Sequence, residues 1–307
     1  MHTAYITHPA CHLHDNGPHH PECAARLNAI EDQLIASGLH DYLHHYQADA
    51  ASREQLLRVH DAAYLDWVEA TVPAQGLLHL PDDITLSPQT LQAALRAAGA
   101  VINGVDLVMA GTAENAFCAI RPPGHHAMRS RAMGFCIFNN IAVGAAHALA
   151  QHGLERVAIV DFDVHHGNGT EDIVRDDTRI LFCSTFQHPF YPGCGADSSN
   201  AHVINVPLAA GTAGDGFRQA VGEHWLPALH AFRPQLLLIS AGFDAHQEDD
   251  MAMLRLKEAD YAWVTTEIKQ IAALYANGRI VSALEGGYAL SALGRSAVAH
   301  IRVLSGI

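Results

Sequence analysis

The segment Asp161-Phe162-Asp163-Val164-His165-His166-Gly167 follows directly on the apolar run Val157-Ala158-Ile159-Val160. That run is short, apolar and β-branched, so it reads as a buried strand. Carboxylates and imidazoles are costly to desolvate. A dense group of them at the end of a core strand therefore requires a compensating partner. Alternate residues of an extended chain point the same way, so Asp161, Asp163 and His165 can converge on one point. Converging oxygen and nitrogen donors are what a divalent metal ion requires. A solvated polar turn is the plainer alternative.

Elsewhere, short apolar runs alternate with helical spacing. The runs are Ala116–Ile120, Val157–Val160, Ile180–Ser184, Val203–Val206, Leu236–Ser240 and Ile280–Leu284. Helices are expected over Pro21–Leu39 (apolar positions Leu27, Ile30, Leu34 and Ile35, with Gly38 near the end), Gln89–Met109 and Asn139–His152. This alternation predicts an α/β fold with a mainly parallel sheet flanked by helices. Polar motifs follow four of the runs: Arg121–His126, Asp161–Gly169, Ala241–His246 and Glu285–Tyr288. Open α/β sheets bind ligands at the carboxyl ends of their strands, so the four motifs are expected to build one composite site.

Composition narrows the function classes. The chain has 307 residues, 49% of them hydrophobic, enough for a substantial core. Length alone suggests two domains, but α/β folds of this size are often one, and a single domain over 1–307 is expected. A net charge of −14 argues against nucleic acid or an anionic membrane as partner, and suits a substrate carrying lysines. Of the 23 histidines, His44, His45, His79 and His230 lie outside any motif and read as surface or packing residues. None of the six cysteines forms a CxxC pair, and Cys118 and Cys183 read as buried thiols. No run of about 18 apolar residues and no signal peptide is evident, so a cytoplasmic location is expected. Gly211–Gly216 lacks the lysine of a phosphate loop and reads as a flexible connection.

Asp163, His165 and Asp244 together would give two carboxylates and an imidazole, leaving a position for water and substrate. Asp244 enters because it follows the run Leu236–Ser240; a helix N-cap is its alternative role. Zinc in such a site would acidify water and polarise a carbonyl, favouring hydrolysis of an amide or ester, and the ligand set also admits iron or manganese. His125 and His126, fixed by Pro122-Pro123-Gly124, can divide the base and acid tasks, with Asp161 and Asn168 as orienting partners. Tyr288, after two glycines, could donate to an oxyanion. Gly134-Phe135 and Phe190 could wall an apolar passage suited to the methylene stem of a long side chain.

At these residues the chain resembles the histone deacetylase superfamily, specifically its class II type and the bacterial deacetylase-like amidohydrolases. The matching motifs are RPPGHHA at Arg121–Ala127, GFCIFNN at Gly134–Asn140, VDFDVHHGNGT at Val160–Thr170, FYPGCG at Phe190–Gly195, SAGFDAH at Ser240–His246 and LEGGY at Leu284–Tyr288. HPECAARL, from His20 to Leu27, resembles the family's amino-terminal segment. The resemblance implies an arginase-like fold and one zinc ion on Asp163, His165 and Asp244. It implies His126 as base and His125, supported by Asp161, as electrostatic or proton-donating partner. It also implies Tyr288 as the transition-state tyrosine. Asn168 stands where class I members carry aspartate, so His126 should be less polarised toward imidazolium. Structural potassium is implied at Asp161, Asp163, His165, Ser184 and Thr185, mostly through backbone oxygens, and at a second place near Val174, Asp177 and Ile180.

Relatives of this type act on acetyl-lysine in proteins, on acetylated polyamines or on other small amides. The gate position after the third zinc ligand falls on Met251, with Glu248, Asp249 and Asp250 just before it. An apolar gate favours a neutral acyl-lysine stem over a polycation. The reading is a zinc-dependent deacetylase of acetylated or short-chain acylated lysine, with an acetylpolyamine or other small-molecule amidohydrolase as the alternative. An oligomer is compatible with it. A non-catalytic acyl-lysine binding module and a two-manganese, arginase-like enzyme are the rivals from other classes.

Overall fold

The computed structural model describes residues 2–307. Its strands are β1 (Thr3–Thr7), β2 (His44–Gln47), β3 (Leu78–Leu80), β4 (Ile84–Leu86), β5 (Asn115–Cys118), β6 (Val157–Asp161), β7 (Ile180–Gln187), β8 (Val203–Leu208), β9 (Leu236–Ala241) and β10 (Ile280–Leu284). Eight of them form one sheet in the order β2-β1-β5-β10-β9-β6-β7-β8, and every pairing in it is parallel. β3 and β4 form a separate antiparallel hairpin.

Helices cover both faces of the sheet. Gly104 of helix Thr90–Met109 sits against Ala116 and Val281. His300 of helix Leu290–Ser305 bonds Ser282 Oγ at 2.9 Å and packs on Phe117. Consecutive strand residues face opposite ways, so these two helices lie on opposite faces. Strands covered twice can be apolar throughout, and β6, β9 and β10 are buried at every position. Helix Asn140–His152 starts at Asn139, whose side chain accepts the Ala142 amide at 3.0 Å, and stops at Gly153 in the left-handed conformation.

The expected runs and helices are present, with end shifts of a few residues. β7 and β8 extend to Gln187 and Leu208, and the first expected helix occupies Ala25–Ala36. Leu27, Ile30 and Leu34 are buried there, but Ile35 is 57% exposed, because only one stripe of that helix meets the core. The Gly211–Gly216 segment is not all loop: helix Gly214–Ala220 begins inside it, with Asp260 packed against Gly214. Helix Thr90–Met109 is long and apolar enough to cross a membrane by length and composition, yet 61% of its apolar window is buried against the rest of the protein. Cys118 and Cys183 are buried free thiols, and His44, His45, His79 and His230 are exposed.

In sequence the four motif-bearing strands are β5, β6, β9 and β10. In space they are consecutive: β5-β10-β9-β6. This crossover brings all four following loops to the carboxyl edge of the sheet centre.

Candidate active site

Asp163 and His165 follow β6, and Asp244 follows β9, the neighbouring strand. His165 Nδ1 lies 3.0 Å from Asp163 Oδ1 and 3.2 Å from Asp244 Oδ2. All three side chains are buried. Main-chain amides fix the carboxylates: His165 N donates to Asp163 Oδ1 at 2.9 Å, Gly286 N to Asp163 Oδ2 at 2.8 Å, and Val164 N to Asp244 Oδ1 at 2.9 Å. Among the described residues, Asp244 Oδ2 has no hydrogen-bond partner although it is buried. A Cβ at Gly242 would overlap Asp163 Oδ2, and one at Gly286 would overlap Asp244 Oδ2. Only glycine admits the carboxylates so close.

An unpartnered carboxylate oxygen facing an imidazole nitrogen and a second carboxylate fits a divalent cation. The donor atoms lie within 4.8 Å of one another. Burial alone would lower the His165 pKa, but the hydrogen bond to Asp163 and the Asp244 carboxylate outweigh it and push it up to about 10. Without an ion, a proton on that nitrogen offsets the two acids. Asp163, His165 and Asp244 are thus brought together as the sequence suggested, and Asp244 is no helix cap.

The His pair sits beside this group. His125 Nδ1 donates to Asp161 Oδ2 at 2.9 Å, and His126 Nδ1 donates to Asn168 Oδ1 at 2.7 Å. An amide oxygen only accepts, so His126 carries its proton on Nδ1 and keeps the Nε2 lone pair free. Burial, then the neighbouring His125 and His165, hold the His126 pKa well below the ordinary imidazole range. For His125 burial acts in the same direction, but Asp163, Asp161 and the Asp161 hydrogen bond together hold it well above. Two adjacent imidazoles, their rings 4.0 Å apart, are thereby driven to opposite protonation states. That division suits one base and one acid.

Between the loops lies a cavity of about 180 Å³ that reaches His125, His126 and His165. Gly134, Phe135, Phe190, Met251 and Tyr288 all line it. Phe190 stacks on His165 at 5.6 Å and Phe135 meets Tyr288 edge-on at 6.1 Å, so each aromatic also steadies a polar neighbour. Larger clefts of about 450 and 640 Å³ lie elsewhere and touch none of these residues. Burial pushes the Tyr288 phenol well above its ordinary pKa, against the pull of Arg26, so it stays a hydrogen-bond donor. At the expected potassium positions, Asp161 lies opposite Ser184 across β6 and β7, with Thr185 next in line. Val174 and Asp177 carbonyls each accept one turn bond, from the Asp177 and Ile180 amides at 2.9 Å. Each retains a second lone pair.

Several contributors are not evident from the sequence. Glu285 is fully buried and accepts the Gly124 amide at 2.6 Å and the His125 amide at 3.1 Å, which bolts the tyrosine loop to the histidine loop. Glu22 lies buried between Arg26 and Arg121; Arg26 Nε also donates to the Gly287 carbonyl at 2.7 Å, under Tyr288. Asp249 accepts the Tyr288 amide, Tyr191 stands edge-on to His126 at 5.2 Å, and Asp83 lines the cavity. Acids beside glycines, or arginines within motifs, carry no local sign of such distant partners. His166 turns away from the site and bonds Glu171 at 2.6 Å.

The family model for the histone deacetylase domain matches residues 20–304. The chain belongs to the histone deacetylase family. A histone deacetylase-like amidohydrolase of Pseudomonas aeruginosa is 38% identical over 329 residues, covering 99% of this chain and 86% of that one. The uncharacterized protein slr0245 of Synechocystis sp. is 41% identical over 297 residues, covering 95% of each chain. The crystal structure of the HDA15 HD domain superposes with a TM-score of 0.94 at 34% identity, covering 99% of this chain and 90% of that domain. The fold is the arginase/deacetylase fold, and the chain is a hydrolase of the histone deacetylase family with a His/Asp group able to hold a metal ion.

Proposed function

We propose that this protein is a zinc-dependent amide hydrolase that removes acetyl or other short acyl groups from lysine side chains, with residues 1–307 acting as one catalytic domain in the cytoplasm. The observation that carries the reading is the buried Asp163/His165/Asp244 group, whose His165 lines a mostly apolar cavity beside two imidazoles of opposite charge preference. Asp163, His165 and Asp244 would hold the zinc ion, which supplies Lewis-acid polarisation of the acyl carbonyl and of the attacking water. His126 Nε2 takes a proton from that water. His125, held as imidazolium by Asp161, gives one to the departing amine. The Tyr288 hydroxyl donates to the carbonyl oxygen as it gains negative charge. Potassium at the two backbone positions belongs to the same reading.

Met251 supports an acyl-lysine stem over a polycation. Of the acids before it, Glu248 pairs with Arg295 at 2.8 Å, Asp249 is occupied by backbone amides, and Asp250 is exposed outside the cavity wall. Asp83 stands at the cavity, where it can meet a peptide amide or a cationic neighbour of the acyl-lysine. An acetylpolyamine or small-amide substrate is the alternative.

The test is turnover of an acetyl-lysine peptide and of acetylputrescine by one preparation, before and after zinc chelation. Activity lost on chelation, regained with zinc, and higher in kcat/KM for the peptide is the expected result. Unchanged turnover by metal-free protein would refute the mechanism, and a higher kcat/KM for acetylputrescine would transfer the assignment to the alternative.

A further inference from the structure

Asp106, His147 and His152 form a second convergence of ligating side chains, away from the Asp163/His165/Asp244 group. Asp106 lies on helix Thr90–Met109, and both histidines lie on helix Asn140–His152, which packs against it. Asp106 Oδ1 is 2.7 Å from His147 Nε2 and 2.7 Å from His152 Nε2. One donor atom from each side chain falls within 4.8 Å of the others. The His147 side chain is 5% exposed, while those of His152 and Asp106 are 23% and 46% exposed, so the cluster has a buried base and an open top. It lies near the carboxyl ends of the two helices that lead into β5 and β6, and hence at the amino edge of the sheet. The cavity with His125 and His126 is at the opposite edge.

We propose that Asp106, His147 and His152 form a second binding site for a divalent transition-metal ion such as zinc, open to solvent and independent of the Asp163/His165/Asp244 group. Two imidazoles and one carboxylate are a donor set suited to such ions, with solvent completing the coordination. Donors about 2 Å from a tetrahedral zinc ion stand about 3.3 Å apart, so the present gaps must widen by roughly half an ångström. Small side-chain rotations of the partly exposed Asp106 and His152 supply that.

Protons decide the strength of the site. In the ion-free cluster each imidazole donates Nε2–H to Asp106. To bind an ion through Nε2, each ring moves its proton to Nδ1. For His152 that nitrogen has no bonding partner among the described residues, the ring bonding through Nε2. For His147, Nδ1 accepts from Arg58 Nη1 at 3.1 Å, and a guanidinium can only donate. Arg58 is therefore a built-in competitor that favours the ion-free tautomer. Its other nitrogen already reaches the exposed Glu54 at 3.3 Å, which gives the guanidinium a place to turn when the ion binds. An ion held there would clasp the two helices and add to their mutual stability.

The experiment titrates zinc into the full-length protein and counts bound metal per chain by mass spectrometry, for the native sequence and for Asp106→Asn, His152→Ala and Arg58→Gln. The native chain is expected to bind two equivalents. Loss of an outer-sphere partner alone typically weakens a metal site 10–100-fold, so loss of a ligand in Asp106→Asn or His152→Ala should weaken the second equivalent by at least about tenfold. The first equivalent and hydrolytic activity should be unchanged, which also shows that the variants fold. Arg58→Gln should bind the second equivalent severalfold more tightly. A single equivalent in the native chain would overturn the proposal and leave the cluster a hydrogen-bonded clasp. A second equivalent of equal affinity in Asp106→Asn and His152→Ala would do the same, by placing that ion elsewhere among the histidines.

Discussion

Asp249 accepts the backbone amide of Tyr288 at 2.6 Å. The same oxygen takes the Ala289 amide at 3.0 Å, and its other oxygen takes the Met251 amide at 3.1 Å. One buried carboxylate thus sets both the loop carrying the phenol and the loop carrying the gate. Asp249→Asn puts an NH₂ where one of these oxygens stood, so either the tyrosine loop or the gate loop is released. Because small misplacements of a reacting group can cost up to about 100-fold, kcat should fall by about 10- to 100-fold with a smaller change in KM. Steady-state kinetics of this variant decide it; native kcat would mean that the phenol is positioned by other contacts.

Removing the hydroxyl tests the phenol directly. Tyr288→Phe keeps the ring on Phe135 and over Arg26, whose Cζ lies 5.0 Å from the ring centroid, so the fold should hold. Loss of one oxyanion donor costs about 100- to 1000-fold in kcat. Substrate affinity should change little, because the bond strengthens only as charge develops.

The pH profile should be a bell whose acid limb belongs to His126 and whose basic limb belongs to His125. His126 must be neutral to accept a proton, and burial with two neighbouring imidazoles holds its pKa low, so activity is lost only well into acid. His125 must be protonated, and its carboxylate neighbours hold its pKa high, so activity is lost only well into base. Asn168→Asp places a negative charge on His126 Nδ1, stabilises the imidazolium and moves the acid limb to higher pH. A profile of kcat/KM in which Asn168→Asp leaves that limb in place would remove His126 from the base role.

Glu22 is predicted to couple stability to acid. Burial alone would raise its pKa, but Arg121, the Arg121 hydrogen bond and Arg26 outweigh burial and lower it to about 2. A folded-state pKa below the ordinary carboxylate value contributes stability that is present above about pH 4.5 and lost as pH falls toward 2. Denaturation midpoints measured across that window should fall accordingly. Arg121→Ala strips Glu22 of a paired partner in a fully buried setting and should cost about 3–5 kcal/mol. A shift well under 1 kcal/mol in its unfolding free energy would show that Arg26 alone suffices.

Much of the site is legible in the sequence because it depends on short spacing. Asp161, Asp163 and His165 share a direction by the two-residue period of an extended chain, and that period is written in the sequence. Positions after apolar runs mark the loops, and the four motifs meet as expected. Strands are hidden where the apolar signal is short or absent: β1, β3 and β4, with three to five residues each, are not among the expected runs. β2, of sequence HHYQ, is an exposed edge strand that owes its existence to pairing with β1. Asp249, Glu285, Glu22 and Arg26 are equally hidden, because the role of each depends on a partner tens or hundreds of residues away.

Sequence alone determined the alternation of strands and helices and the donors available at the strand ends. Tertiary structure decided which strands became neighbours. The order β5-β10-β9-β6 places Asp244 beside Asp163 and His165, and sets Glu285 beneath the histidine loop. Local propensities act over a few residues, whereas the partner of a buried charge is chosen by how the whole sheet packs, since only there does a distant carboxylate or amide come within bonding distance.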